Sequence, residues 1–269
     1  MSLALSTLVF FLFLVPGIVF RKLYYSEEFS KQYFKESIFA VFISTILPSL
    51  FFQTLWFFSA DILTKYYVDL EIFGNLLSSS PKPSTFENIQ NFSVQILMYQ
   101  ASMLIVAATS GYVFRKIVRY KNWDRRKKIF RFQNHWHYIL KGEFYDFPRA
   151  NISLKNDTVR DIEFVFVDAL IETADGTYIY DGILVDYELS NNGGLDTISL
   201  AETERRKLTD DRQKRSEDSR DSNSKSDNPY YTIEGHILLL KYCEIKNLNF
   251  TYYTLDQNED DSYVPRKVK

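Results

Sequence analysis

Three long apolar stretches without a single charged residue constrain this chain more than any other feature. They are Leu3–Phe20, Ser37–Ala60 and Val94–Phe114. A helix rises about 1.5 Å per residue, so roughly 20 apolar residues cross the ~30 Å hydrocarbon layer of a bilayer. The first stretch lacks the positive n-region and the small-residue cleavage site of a signal peptide, so we expect it to be retained. We therefore predict a three-helix transmembrane region over residues 1–114, with spans at about 3–20, 37–60 and 94–114.

The charges between these stretches predict an orientation. Short loops rich in Lys and Arg stay in the cytoplasm. The segment between the first two stretches carries Arg21, Lys22, Lys31 and Lys35, whereas the segment between the second and third carries Lys65 and Lys82 together with Asp61, Asp69, Glu71 and Glu87. A dense basic run follows the third stretch. We expect the N-terminus outside and the C-terminal half in the cytoplasm. The outer loop, with its run of Ser, Pro and Lys from Ser78 to Pro83, is expected to be irregular.

Small and polar residues inside the stretches predict contacts between helices. Ala107 and Gly111 are four residues apart and allow close backbone approach, while Gln100 places an amide near the middle of the third stretch. The alternative is that such polar groups line a pore formed by several subunits. No Asp, Glu, Lys or Arg lies within the stretches, which disfavours a proton-coupled transporter.

Residues 115–160 form a basic juxtamembrane collar and linker. Each Lys or Arg near an anionic leaflet contributes about 1 kcal/mol, so we expect the collar to contact anionic lipid headgroups of the bilayer. The residues assigned to this role are Arg115, Lys116, Arg119, Lys121, Arg125, Arg126, Lys127 and Lys128. Basic residues with interleaved aromatics also occur in nucleic-acid binders, but the net charge of −2 makes nucleic acid an unlikely partner.

Two histidine patterns in the linker suggest chemistry that we do not favour. Arg131 and His137 have the six-residue spacing of HEPN-type ribonucleases, and His135 and His137 form a His-x-His pair. The first pattern is loose, and the second has no additional ligands at a suitable spacing. Packing of Trp136 and Tyr138 onto the following domain is the preferred interpretation.

The segment 161–256 has the pattern of a small all-β barrel. Runs of β-branched and aromatic residues alternate with turn signals such as Asp175-Gly176. We predict five strands, at Ile162–Thr173, Thr177–Leu189, Leu195–Ala201, Tyr230–Leu240 and Ile245–Leu255. Few helical residues are left to cover an open sheet, so we expect the barrel to close.

The run from Val165 to Tyr187 resembles the first Sm-type motif. That motif is a strand, a charged-Gly hairpin and an aromatic-x-Gly-x-apolar strand, here Tyr180-Asp181-Gly182-Ile183-Leu184. The resemblance implies an Sm/SH3-like domain with a bend at Gly182, where the missing Cβ lets the strand curl. Gly235–Leu240 resembles the second half of the pattern. Lys241-Tyr242 stands where RNA-binding Sm proteins have Arg-Gly, so RNA binding is not expected.

The whole chain is similar to an uncharacterised family of bacterial inner-membrane proteins. The resemblance rests on three features, namely Pro16-Gly17 near the C-terminal end of the first stretch, the Trp136–Leu140 segment and the barrel pattern. It implies N-terminal transmembrane helices followed by a cytosolic Sm/SH3-like domain in a multi-pass protein of the inner (plasma) membrane. The family brings no established activity.

Two polar segments are expected to be disordered. Residues 202–228 carry eight basic and eight acidic residues and almost no apolar ones, so they cannot offset their ordering entropy. A helical start over Ala201–Leu208 remains open. Residues 257–269 are predicted to form a flexible tail.

We expect neither an enzyme nor a bound cofactor or metal. The chain has one cysteine and lacks a phosphate-binding loop and a GxSxG motif. Asp168, Asp181 and Asp186 would suggest chemistry only if they converged at one end of the barrel. The favoured function is a membrane-anchored interaction module whose barrel self-associates into an oligomer or binds an unknown protein or small ligand. The alternative is a membrane effector of the kind found in bacterial defence, pore-forming or bilayer-disrupting, that the barrel gates.

Overall fold

The computed structural model describes residues 2–30, 37–63, 69–78, 82–150, 152, 154–190, 193–208, 230–258 and 261–269. These residues form two compact units, Met1–Asp124 and Arg125–Lys269. The first unit is helical and the second is built on one β-sheet.

In its described residues, the first unit contains five α-helices and a 3-10 turn at Glu27–Phe29. The α-helices are α1 (Ser2–Tyr24), α2 (Ile38–Leu63), α3 (Leu70–Leu77), α4 (Pro83–Asn91) and α5 (Ser93–Tyr120). Three helices are long and apolar enough to cross a membrane, at Ser6–Tyr24, Ile38–Ile62 and Ser93–Tyr120. The predicted apolar stretches are therefore confirmed as long helices. The segment between α2 and α5, predicted to be an irregular loop, is not irregular throughout, because it contains α3 and α4. Ser79, Ser80 and Pro81 lie outside the described residues.

Glycines set how closely α1 approaches its neighbours. A Cβ at Gly17 would collide with Ser49 Oγ and with the carbonyl oxygen of Thr45, both on α2. A Cβ at Gly111 on α5 would collide with the backbone of Phe20 on α1. Small residues at such crossings bring backbones into direct contact, which is the main source of packing energy between apolar helices in lipid.

Polar side chains of α2 and α5 donate to carbonyl oxygens of α1. The three hydrogen bonds are Ser49 Oγ to Leu14 O at 2.9 Å, Gln53 Nε2 to Phe13 O at 3.4 Å and Gln100 Nε2 to Leu12 O at 3.4 Å. Ser49 Oγ also accepts the Gly17 N–H at 3.1 Å. Gln100, predicted to make a contact between helices, thus donates to α1, as do Ser49 and Gln53.

The second unit is a seven-stranded antiparallel sheet that curls into a half-barrel. Its strands are β1 (Phe164–Thr173), β2 (Gly176–Leu189), β3 (Leu195–Lys207), β4 (Tyr231–Thr232), β5 (Leu238–Lys241), β6 (Ile245–Gln257) and β7 (Tyr263–Lys267). The strand order is β4-β3-β2-β1-β6-β7, and β5 also pairs with β3. Two short helices, α6 (Trp123–Arg126) and α7 (His135–Leu140), precede the sheet in the chain.

Alternating side chains of β1 build the core of this unit. Val165, Val167, Ala169 and Ile171 are buried, whereas the residues between them face the other side of the sheet. They pack with buried residues of other elements, namely Leu140, Leu189, Leu195, Ile198, Leu200, Leu240 and Tyr252. The Tyr252 hydroxyl donates to Ile139 O at 2.7 Å and fixes α7 against this core.

The sheet bends where β2 and β3 lose their register. Gly182 and the pair Glu202 and Thr203 lie between the paired positions Asp181–Glu204 and Ile183–Ala201. Glu202 has φ +49°, as a bulged residue does. A Cβ at Gly182 would stand 2.8 Å from Ala201 O, so the close approach of the strands requires glycine there.

Several strand boundaries differ from the predictions. The predicted closed barrel is not formed within the described residues, whose sheet has two unpaired edges. The predicted strand Tyr230–Leu240 divides into β4 and β5, because β3 is long enough to pair with both in succession.

The two segments expected to be disordered contain strand residues. Residues 202–207 continue β3 as strand rather than helix or loop, because they pair with β2 and β4. The remainder of that segment, 209–228, lies outside the described residues. The predicted tail contains β7, which pairs with β6 over Tyr253–Gln257.

Candidate functional site

The predicted basic collar separates into paired and exposed residues. Arg115, Arg119 and Arg125 form ion pairs with protein carboxylates. The remaining members are exposed, and they are Lys116, Lys121, Arg126, Lys127 and Lys128. The charges of these five side chains are accessible at the protein surface.

Arg115 is buried in the helical unit, on α5. Its guanidinium pairs with Glu27, lies 3.8 Å from Glu28 Oε2 and donates to Ser26 O at 3.1 Å. The pairing lowers the pKa of Glu27, and the hydrogen bond from Arg115 is the main cause. Arg115 therefore ties the chain that follows α1 to α5, a role that its place in a basic run does not reveal.

Arg119 and Arg125 each neutralise a carboxylate in their own unit. Arg119 Nη1 lies 2.8 Å from Asp124 Oδ2, and Asp124 is fully buried. Arg125 lies 2.7 Å from Glu143 Oε1 and 2.8 Å from Asp146 Oδ2. An ionised side chain with little solvent exposure needs an oppositely charged group this close to offset its lost hydration.

The histidine region is structural. His137 is buried, and its Nδ1 lies 2.9 Å from the Tyr187 hydroxyl. Trp136 packs on the sheet core and stacks edge-on with Tyr242 at 5.3 Å, as predicted. Tyr138 instead packs on Phe147, with ring centroids 5.0 Å apart.

The structure supports neither the Arg131 and His137 ribonuclease pattern nor a metal site at the His135 and His137 pair. Arg131 stacks 3.8 Å over the Phe147 ring and donates to Arg125 O, whereas the His137 ring contacts the Tyr187 hydroxyl. Across the described part of the chain, no group of three His, Cys, Asp or Glu could hold a metal ion.

A row of carboxylates crosses three strands of the sheet. Asp168 on β1 pairs with Asp181 on β2, which pairs with Glu204 on β3. Directly opposed side chains share one face, so the three like charges repel one another. Asn249 Nδ2 donates to Asp168 Oδ2 at 2.8 Å at one end of the row. Asp186 does not join it, since Asp186 is exposed and faces Ser199.

Asp181 is the member of this row whose negative charge is least favourable. It is only 7 % exposed, and within the described residues its Oδ1 has no hydrogen-bond partner. Burial, followed by the charges of Asp168 and Glu204, raises its pKa to about 6. The repulsion among the three carboxylates therefore weakens as the pH falls through about 6, where Asp181 becomes protonated.

The two edges of the sheet differ in how they are protected. Edge strands expose unpaired N–H and C=O groups that can pair with another chain. At one edge lies β5, where Leu239 is 58 % exposed and the preceding Ile237 is 61 % exposed. No strand in the described part of the chain covers the outer side of β5.

The other edge, β7, carries known protective features. Pro265 lies at its centre and has no N–H for a further ladder. Arg266 holds the strand in place through two bonds of 2.9 Å to the Asp157 carboxylate and one of 2.6 Å to Asp256. We call the contacts of Arg266 with Asp157 and Asp256 the Arg266 clamp. Asp157 and Arg266 are too far apart in sequence for a local pattern to predict their pairing.

Comparisons with family models, curated proteins and solved structures found no match for this chain.

Proposed function

We propose that this chain is a membrane-anchored interaction module. In this proposal α1, α2 and α5 cross the inner membrane with the N-terminus outside, and the sheet unit lies in the cytoplasm. The length and apolarity of the three helices support membrane crossing. The excess of Lys and Arg after α5, compared with the segment between α2 and α5, supports the orientation.

The sheet unit is proposed to be an Sm/SH3-like domain. Support comes from five of its strands, which follow the order β6-β1-β2-β3-β5, and from the 3-10 turn Tyr242–Glu244 that joins β5 to β6. The bend at Gly182 is a further point of similarity. The unit departs from the simple pattern in one respect, because β7 occupies the outer edge of β6.

The observation that carries the proposed function is the asymmetry of the two edges. Sm-like domains can form rings when opposite edges of neighbouring copies pair. Here Pro265 and the Arg266 clamp protect one edge, whereas the other edge, formed by β5 and the two-residue β4, is open to a further strand among the described residues. We propose that β5 binds β5 of a second copy in antiparallel fashion, which closes a two-fold dimer.

Side-chain chemistry supports this pairing. In an antiparallel pair centred on Leu238, Ile237 of each copy stands opposite Leu239 of the other, and all four side chains share one face. Each of these side chains is more than half exposed in the single chain. Burying exposed Ile and Leu contributes roughly 1.5–3 kcal/mol per fully buried side chain, which supplements the main-chain hydrogen bonds.

Disulfide trapping tests the interface. In a Cys243→Ser background, co-expressed Ile237→Cys and Leu239→Cys chains should form a mixed cross-linked dimer on mild oxidation of native membranes, because residue 237 of one copy stands opposite residue 239 of the other. Val264→Cys is the matched control, because Val264 is a similarly exposed apolar residue on the protected edge. No mixed dimer through residues 237 and 239, or equal cross-linking through residue 264, would overturn the proposal. Leu239→Lys should abolish dimers on native gels, since a charge blocks edge pairing.

Membrane potential separates the anchor role from the effector alternative. Hydrogen bonds from Ser49, Gln53 and Gln100 to α1 support an anchor, because these polar groups are engaged within the bundle rather than left to line a pore. Cells that express the full chain, or a chain lacking Asp161–Lys269, should keep their potential-sensitive dye signal. Depolarisation by either form would favour the effector.

A further inference from the structure

Helix α3 is apolar on two sides. Ile72, Phe73 and Leu76 are half-buried, and the Phe73 ring lies 5.9 Å from the Phe13 ring of α1. A second stripe, Leu70, Gly74 and Leu77, follows the i, i+4, i+7 spacing of one helix face. Leu70 is 63 % exposed and Leu77 is 41 % exposed, and open space surrounds Gly74. A short loop helix in water would ordinarily show a polar outer face.

The contact with Phe13 gives the depth of α3. Phe13 follows Leu3, where the first apolar stretch begins, by ten residues, or about 15 Å along the helix. A helical side chain also leans toward the N-terminus, which brings the Phe13 ring closer to that end of α1. Because the hydrocarbon layer of a bilayer is ~30 Å thick, α3 contacts α1 at the depth of the acyl chains of one leaflet.

The polar groups around α3 are placed at its margins. The side chain of Asp69 accepts the Glu71 N–H at 2.8 Å and caps the helix, and Glu71 pairs with Lys82 at 3.3 Å in an exposed ion pair. The next helix, α4, is polar by contrast, with Ser84, Glu87, Asn88 and Gln90 along its length. The apolar and polar characters of the loop are therefore separated onto two consecutive helices.

We propose that α3 is embedded in the bilayer leaflet at the Ser6 end of α1, with the Leu70–Gly74–Leu77 stripe against lipid acyl chains. Acyl chains are the occupant that the structure favours, because the Phe73 contact with Phe13 places α3 within the apolar length of α1, whose exposed side chains there, including Leu8 and Phe11, are also apolar. A protein partner is not needed to cover it. This inference rests on the membrane crossing proposed above.

Depth-dependent quenching tests the position of α3. In the full-length Cys243→Ser chain, an environment-sensitive dye is attached to Leu77→Cys and the protein is reconstituted in phosphatidylcholine and phosphatidylglycerol vesicles. Vesicles with a doxyl group near the top of the acyl chain should remove most of this fluorescence. The Glu87→Cys label on α4 should lose little, and iodide in the water should quench Glu87→Cys more than Leu77→Cys.

A third label separates the two proposals. Leu97→Cys lies on the exposed face of α5 and reports whether the spans insert at all. Quenching of the Leu97 label together with a Leu77 label that behaves like Glu87 would overturn the inference about α3 alone. A Leu77 label that neither iodide nor doxyl lipid quenches would also overturn it, since a protein surface would then cover the stripe. An unquenched Leu97 label would contradict membrane insertion itself.

Discussion

Asp168 and Asp181 stand directly opposite each other on β1 and β2, and the second of them is buried with its pKa raised to about 6. The ordinary value for this carboxyl is 3.8. The folded state therefore binds the proton more tightly than the unfolded state does. The stabilisation from this proton is complete below about pH 4 and is lost as the pH rises through about 6.

Asp181→Asn should therefore stabilise the sheet at pH 7 to 8. Asparagine keeps the shape but removes the charge that burial and two neighbouring carboxylates oppose. We expect a gain on the order of 1 kcal/mol above pH 7 and little gain below pH 4. Hydrogen exchange of β1 and β2 in the detergent-solubilised full chain measures it.

Asp186→Asn is the matched control for this effect. Asp186 lies on the same strand but is exposed and faces Ser199. A similar gain from Asp186→Asn, or a gain from Asp181→Asn that does not change with pH, would show that repulsion across the row is not the cause.

Gly17→Ala should weaken the packing of α1 against α2. The added methyl group collides with Ser49 Oγ and with backbone, which cannot move as a flexible side chain can. Overpacking of this kind costs about 1–3 kcal/mol. Thermal unfolding in detergent, followed by circular dichroism, should show a lower midpoint. Gly74→Ala on α3 meets open space and should be neutral or stabilising, because alanine favours helix by up to about 1 kcal/mol.

Arg115→Gln should separate the chain after α1 from α5. The buried guanidinium holds Glu27, Glu28 and the Ser26 carbonyl, and glutamine cannot replace these contacts. We expect a loss of about 1–3 kcal/mol, discounted because Glu27 is half exposed. Faster proteolysis between α1 and α2 would report it. Lys116→Gln removes an exposed neighbouring charge, and an equal effect there would assign the loss to net charge.

The same pair predicts a dependence on pH. Because Arg115 lowers the pKa of Glu27, the ion pair stabilises the fold above the ordinary carboxyl pKa. This contribution should disappear as the pH falls through the lowered value. Arg115→Gln should therefore differ from the parent chain at neutral pH and converge with it in acid.

Arg266→Lys should release β7 while preserving charge. Arg266 makes two parallel bonds to Asp157, a geometry that the single ammonium of lysine cannot reproduce. Hydrogen exchange in Tyr263–Lys267 should accelerate. The pKa of Asp157 is lowered to about 2, so β7 of the parent chain should loosen only as the pH falls from about 4 toward 2. Unchanged exchange in β7 would mean that the β6 ladder alone holds the strand.

Local patterns account for much of the architecture. Uncharged apolar runs predicted the three long helices, and alternation with turn signals predicted β1, β2 and β6 within a few residues. The packing role of Trp136 was also predictable, because an aromatic beside a β domain gains more by burial than by exposure. The acidic row was not, since its members are far apart in sequence and only the strand register aligns them.

The sequence by itself determined where the helices and most strands form, because apolar length and alternation act within one element. Tertiary structure alone decided that Arg115 is buried, that Asp181 faces two carboxylates, that residues 202–207 extend β3 and that β7 protects one edge. Each of these depends on a partner distant in the chain. From the sequence, a charged residue is expected to be exposed to solvent, and only the fold brings a carboxylate close enough to compensate its burial. A polar segment is expected to be a loop, and only a neighbouring strand can supply hydrogen-bond partners for its backbone.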